Sequence, residues 1–133
     1  MQLADIKFTA DIRHPNYDVV AYVPQYDNSY QFVITLTQNG LPFIPNFNGT
    51  YNNLIVRWTN EDGTTGSSTY ATAGALSGNV LSLTLPEALS NVVGKTTVGI
   101  EMHSSNSSSG TPSSRLSILP FIVEIVKRPG PAS

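Results

Sequence analysis

The sequence predicts an all-β fold, an antiparallel β-sandwich with one short helix. Apolar and polar residues alternate with period two along the whole chain, whereas helical spacing hardly appears. Turn signals separate about seven to nine short runs of this kind, a spacing typical of a sandwich. A closed barrel would show the same alternation, so it stays open as the structural alternative.

The clearest strand begins at Tyr30 and ends in the turn signal Gln38-Asn39-Gly40. Phe32, Ile34 and Leu36 share one face of it, as expected for a strand with one buried side. The same reading predicts strands at 7–13, 19–23, 54–59, 68–71, 80–85, 98–102 and 116–126. The side chains that face inward in this register form the predicted core: Phe32, Ile34, Leu36, Trp58, Leu81, Leu83, Val98, Ile100 and Phe121.

The connecting segments have their own signals. Leu41–Gly49 contains two prolines, which excludes a central strand, and we expect its apolar side chains to cover one end of the core. Pro86–Asn91, with Gly94 beyond it, predicts the short helix. Ser104–Ser114 predicts a polar loop. Residues 1–126 thus form one sandwich domain, and residues 127–133 read as an exit linker.

Composition excludes several classes of function. The 133 residues carry a net charge of −2, so there is no basic field for nucleic acid. The absence of cysteine excludes a disulfide scaffold and a thiolate site. No signal peptide is visible, and the longest apolar run is too short to span a membrane. We therefore expect synthesis in the cytoplasm and no membrane partner.

No catalytic, metal or cofactor motif is found. His14 and His103 are the available imidazole bases, but neither accompanies a nucleophile motif, and both read as solvated residues at strand ends. Asp18 and Asp27 flank one loop without matching a calcium-loop pattern, so they read as turn residues. The sequence predicts a protein that is not an enzyme and holds no cofactor or metal.

Aromatic residues offer a candidate surface. Trp58 shares a face with Leu54 and Val56, which favours a place in the core. Tyr17, Tyr22 and Tyr26 cluster near one loop and are predicted to be exposed. Exposed aromatic rings are suited to stacking on sugars. A carbohydrate-binding module of a viral or bacterial surface protein is therefore kept as the alternative function.

The last strand is apolar on both faces. If Phe121, Val123 and Ile125 face the core, the residues predicted to point outward are Ile118, Pro120, Ile122 and Val126. Such a strand is either central in a sheet or covered by a partner. These outward residues are the candidate interface.

The order of motifs resembles the N-terminal domain of phage baseplate upper proteins, which also begins some phage tail-fibre and collagen-like tail proteins. The matching segments run from residue 6 onward and comprise Phe32–Pro45 (FVITLTQNGLPFIP), Val56–Gly63 with its Asp-Gly turn, Gly78–Pro86, Gly94 ahead of Val98–Met102, and Leu119–Val126. The serine-rich loop departs from the family pattern.

The resemblance implies an immunoglobulin-like fold and a structural role. It implies a virion location, in the tail or baseplate, where such domains hold receptor-binding proteins or fibres, usually as trimers. The partners it implies are further copies of the chain, with a trimer favoured, and other phage tail or baseplate proteins. It carries over no catalytic residues.

Overall fold

The computed structural model describes residues 4–14, 18–27, 29–44, 51–70, 75–105 and 112–127. These residues form strands and one 3₁₀ helix, Glu87–Ser90. In chain order the strands are β1 (Ala4–Asp11), β2 (Val19–Pro24), β3 (Tyr30–Gln38), β4 (Leu41–Pro42), β5 (Tyr51–Thr59), β6 (Thr65–Tyr70), β7 (Leu76–Ser77), β8 (Val80–Thr84), β9 (Gly94–Ser105) and β10 (Pro112–Val126).

Two sheets pack against each other, which confirms the predicted all-β sandwich. The first sheet has the order β1-β3-β8-β7, with β4 paired to the end of β3. The second has the order β2-β10-β9-β5-β6. Both sheets contribute to one hydrophobic core. The ring of Phe121, from the second sheet, lies 4.7 Å from that of Phe8 and 5.3 Å from that of Phe32, both from the first.

The predicted register is correct in the core. Every residue assigned to the core from the sequence is buried, with Trp58 the most accessible at 6 %. Alternation predicts burial well here because each of these strands has one side against the opposite sheet.

The sheets are mixed, so the prediction of purely antiparallel strands was wrong. β1 pairs with β3 in parallel, and β2 pairs with β10 in parallel. The chain moves from the first sheet to the second after β1 and returns after β2. Consecutive strands therefore do not form hairpins in this part of the chain. Alternation of apolar and polar residues indicates which face of a strand is buried, but not whether the paired strand runs parallel or antiparallel.

A bulge interrupts β10 and corrects the predicted orientation of Ile118. Ile118 lies opposite Ile100 and Phe121 opposite Val98, so one residue of β9 faces two of β10, Leu119 and Pro120. The extra residue restores Ile118 to the same side as Phe121. Ile118 is 3 % exposed and belongs to the core, so it does not point outward.

The segment after β3 covers less of the core than expected. Phe43 packs against the core, but Leu41 and Ile44 are 70 % and 62 % exposed. Asn39 and Gly40 both have positive φ, 52° and 83°, the geometry that the Asn-Gly turn of a tight hairpin requires. Residues 45–50 of the predicted segment lie outside the described part of the chain.

The long polar segment near the C-terminus contains more strand than predicted. β9 continues to Ser105 and β10 already begins at Pro112. The sequence predicted a loop because the segment is polar, whereas strand preference depends on context and pairing with the facing strand decides the outcome. Residues 106–111 lie outside the described residues, as do residues 128–133 of the predicted linker.

Buried polar groups join four segments of the chain at one end of the sandwich. Asn60, at the end of β5, donates from Nδ2 to the carbonyl of Leu89 at 3.0 Å and to Oγ1 of Thr96 at 3.1 Å. Ser90 donates from Oγ to the carbonyl of Asp27 at 2.8 Å. Asn60, Ser90 and Thr96 are at most 4 % exposed, so these hydrogen bonds replace those that water would make. We call this group the polar junction.

Candidate interaction surface

The outer side of β10 carries three of the four residues predicted for the interface. Pro120 is exposed, Ile122 is half-buried and Val126 is 43 % exposed. Phe121, Val123 and Ile125 fill the core on the opposite side. We call Pro120, Ile122 and Val126 the outer strip.

The residues that lie opposite Ile122 and Val126 on the neighbouring strands are uncharged. Ile122 lies opposite Thr97 of β9 and Val19 of β2. Val126 lies opposite Pro24. Glu124, between the two apolar residues, faces Lys95 on one side. The strip is therefore a narrow apolar line on a mixed face, a composition compatible with a water-exposed monomer and with a modest interface.

A recess adjoins the outer strip where the bulge faces β9. It has a volume of about 220 Å³ and its outer lining comprises Arg57, Gly99, Glu101, Ser117, Leu119 and Pro120. Gly99, one of the residues that line it, lies opposite Arg57 on β5 and opposite the bulge on β10. Arg57 forms an ion pair with Glu101 beside it. We call this recess the Gly99 notch.

The tyrosines predicted to be exposed are exposed where the structure describes them. Tyr22 and Tyr26 are 64 % and 60 % exposed, on β2 and in the turn after it. Tyr26 has φ = 68°, a left-handed conformation that is rare for a bulky side chain. Its N–H donates to the carbonyl of Ser90 at 2.9 Å, which fixes this backbone. Tyr17 lies outside the described residues.

Trp58 is a core residue, as its spacing predicts. Its indole covers Gly66 on the neighbouring edge strand so closely that a Cβ there would collide with the ring. A recess of about 460 Å³ lies beside it, lined by Arg57, Trp58, Thr59, Thr65, Gly66 and Ser67. Because only 6 % of Trp58 is accessible, the indole offers no face on which a sugar ring could stack.

His14 lies in a turn held by Asp11. Its Nδ1 is 3.2 Å from Oδ1 of Asp11, three residues earlier in the chain. The same carboxylate accepts from the N–H of Arg13 at 2.9 Å and from the N–H of Gly40 at 3.2 Å. Asp11 thereby ties the end of β1 to the hairpin between β3 and β4. The hydrogen bonds of the pair thus give it a structural role in this turn.

The hydrogen bond from the N–H of Arg13, with further ones from His14 and Gly40, lowers the pKa of Asp11 from 3.8 to about 2. Desolvation opposes this shift without cancelling it. A carboxylate with a lowered pKa in the folded state stabilises the fold above its unfolded pKa, and this contribution disappears as the pH falls through the folded pKa.

We expect Asp11→Asn to destabilise the protein at pH 7 and to make little difference at pH 2. The extra stability of the parent over the variant should disappear as the pH falls from about 4 to 2, the interval between the pKa of Asp11 in the unfolded and in the folded state. Urea unfolding at several pH values measures this. Glu87→Gln, which removes an exposed carboxylate, is the control, and an equal gap at pH 7 and pH 2 would contradict the assignment.

Within the described residues, no three His, Asp or Glu side chains lie close enough to hold a metal ion. The side chain of His103 is not among those described. None of the described helical segments has the length and apolar character needed to cross a membrane.

Comparison with known proteins yields a structural likeness. No protein-family model and no curated protein matches the sequence. Among solved structures, the chain is similar to the N-terminal domain of phage TP901-1 ORF48, with a TM-score of 0.67 and 17 % identity. The alignment covers 95 % of this chain and 100 % of that one. The two domains therefore share a fold over nearly the whole length of this chain.

Proposed function

We propose that the chain is a virion structural domain that anchors a receptor-binding protein or fibre to a phage baseplate or tail. The observation that carries the proposal is the end-to-end structural likeness to the N-terminal domain of a phage protein. The order of sequence motifs supports the same class independently. Because one fold hosts many functions, the role must also find support in the surface of this chain.

The surface supports binding more than catalysis. The outer strip exposes apolar side chains on a strand whose other side already fills the core. The hydrogen bonds of His14 and Asp11 maintain a turn. The proposal therefore assigns no reaction, no cofactor and no metal to this domain.

We further propose that the domain self-associates through the outer strip, with a trimer as the favoured state. Removing exposed apolar side chains from water is favourable, so a second copy that covers the strip would be held there by the hydrophobic effect. The strip alone is small, so association of the isolated domain should be weak and dependent on concentration.

Light scattering on the full chain over a range of concentrations tests this. We expect the apparent mass to rise above that of the monomer, and Ile122→Asp to abolish the rise because it places a charge in the interface. Ile122→Asp should still fold, since the side chain is only half-buried. Thr69→Asp, which adds the same charge on the exposed edge strand β6, is the control.

A monomer at all concentrations, with Ile122→Asp folding as stably as the parent, would contradict self-association. A rise that survives Ile122→Asp would place the interface elsewhere.

Tyr22 and Tyr26 favour carbohydrate binding as a second candidate. Two exposed aromatic rings, one held in a strained backbone conformation, are an arrangement that functional sites use. A glycan array separates the two functions: binding that is lost in Tyr22→Ala and Tyr26→Ala would support the second.

A further inference from the structure

The hairpin turn between β3 and β4 contains an Asn-Gly pair, the dipeptide at which an asparagine side chain loses ammonia most readily. Asn39 and Gly40 are both exposed, so water reaches them from outside. In this reaction the backbone nitrogen of Gly40 attacks Cγ of Asn39, and glycine has no side chain to hinder the attack. The turn therefore brings together the two groups that react with each other and the water that completes the reaction.

The attacking nitrogen is held by a carboxylate from a distant part of the chain. The N–H of Gly40 donates to Oδ2 of Asp11 at 3.2 Å, although the two residues are 29 positions apart. Asp11 is charged at neutral pH, since its pKa is lowered to about 2. The nitrogen must lose its proton before it can attack. A hydrogen bond to that proton, and a negative charge beside it, both oppose this loss.

The backbone of the turn restrains the same reaction. Asn39 and Gly40 both have positive φ, 52° and 83°, as in a type I′ turn. Gln38 and Leu41 pair across the hairpin on either side of them. To form a ring with Cγ of Asn39, the peptide group between the two residues must rotate out of its orientation in this turn. The rotation would also break the hydrogen bond to Asp11, so that hydrogen bond opposes two steps of the reaction at once.

We propose that Asn39 is a site of spontaneous deamidation and that Asp11 is the positioning residue that protects it. The bond that forms joins the nitrogen of Gly40 to Cγ of Asn39, and that nitrogen gives up its proton. The bond that breaks is Cγ–Nδ2 of Asn39, so ammonia leaves and a succinimide ring remains. One water molecule then opens the ring at either of its carbonyl groups and leaves aspartate or isoaspartate. Water is the only co-reactant.

The product would weaken the contact that protects the starting turn. A carboxylate at position 39 adds a negative charge close to that of Asp11, and like charges at short range repel each other. Isoaspartate also inserts one more atom into the backbone of the turn, which disturbs the pairing of Gln38 with Leu41. The end of β1 would thus lose its connection to the hairpin through Gly40.

Asp11→Asn tests the protection, because it keeps the shape of the side chain and removes its charge. The folded parent and the folded variant are incubated at mildly alkaline pH and digested. Mass spectrometry then follows the mass increase and the isoaspartate content of the peptide that contains Asn39. We expect deamidation about tenfold faster in the variant, because a hydrogen bond to a charged acceptor is stronger than one to a neutral acceptor.

Two controls separate the carboxylate from a general loss of stability. Val56→Ala creates a cavity in the core of the second sheet, away from the turn, and should leave the rate at Asn39 like that of the parent. In urea the fold no longer brings Asp11 to Gly40, so the parent and Asp11→Asn should react equally fast there. Asn48-Gly49, the other Asn-Gly pair of the sequence, gives the intrinsic rate of such a pair in the same unfolded sample.

Equal rates in the folded parent and folded Asp11→Asn would overturn the protective role of Asp11. An acceleration no larger than that of Val56→Ala would do the same. A slower reaction in Asp11→Asn would mean that the carboxylate removes the proton from the nitrogen as a base, the opposite of protection. Asn39 that stays intact even in urea, while Asn48 reacts, would overturn the site itself.

Discussion

Replacing Leu83 with alanine is expected to lower the free energy of unfolding by about 2–5 kcal/mol, the cost of a cavity in a well-packed core. Leu83 is 2 % exposed and lies in β8 opposite Phe32. Phe32 in turn packs edge-on against Phe121 of the second sheet. The cavity would therefore open where the two sheets contact each other, and little of the surrounding structure can collapse to fill it.

Urea unfolding measures the effect, and Ser82→Ala is the matched control. Ser82 is the preceding residue of the same strand and is exposed, so its truncation should change the free energy of unfolding by less than about 0.5 kcal/mol. A loss of that small size for Leu83→Ala would mean that this strand had been assigned the wrong face.

Asn60→Asp is expected to lower the free energy of unfolding by about 3 kcal/mol or more at pH 7, because it replaces a hydrogen-bond donor by an acceptor inside the polar junction. The amide of Asn60 donates to the carbonyl of Leu89 and to Thr96. A carboxylate of the same shape donates neither hydrogen bond and faces the carbonyl oxygen of Leu89. It would also carry a buried charge, since Asn60 is 4 % exposed.

Protonation should relieve part of this penalty. A buried carboxyl group without a cationic partner has a raised pKa in the folded state, so the variant should lose less stability at pH 4 than at pH 7. Asn91→Asp makes the same chemical change at an exposed residue of the same end of the sandwich and should be nearly neutral. Equal costs for the two variants would show that the junction does not depend on the donors of Asn60.

The sequence predicted correctly those features of the fold that depend on whether an individual side chain is buried or exposed. Phe32, Ile34 and Leu36 occupy one side of a strand, and burial of that side is what alternation encodes. The short helix predicted after Pro86 is present as a 3₁₀ helix. The exposure of Tyr22 and Tyr26 followed from their position near a loop rich in turn residues.

The parts that did not follow depend on distant pairing. The sequence predicts an outward Ile118 only if the alternation continues unbroken through Leu119 and Pro120, where the bulge in fact adds a residue. Pro120 was the available signal, since proline inside a sheet is confined to edges and bulges. The Gly99 notch was missed for the same reason, because it exists only where β9 meets that bulge and Arg57 of β5.

The position of β10 between β2 and β9 has a consequence for synthesis on the ribosome. β2 lies near the start of the chain, yet its described neighbour in the second sheet is the last strand, with Val23 beside Ile125. Since domains fold largely as units during synthesis and distant pairings form late, β2 must wait for about a hundred residues to emerge before it can pair. Both edges of β2 therefore stay unpaired in the nascent chain until β10 has emerged, so this parallel pairing is among the last to form.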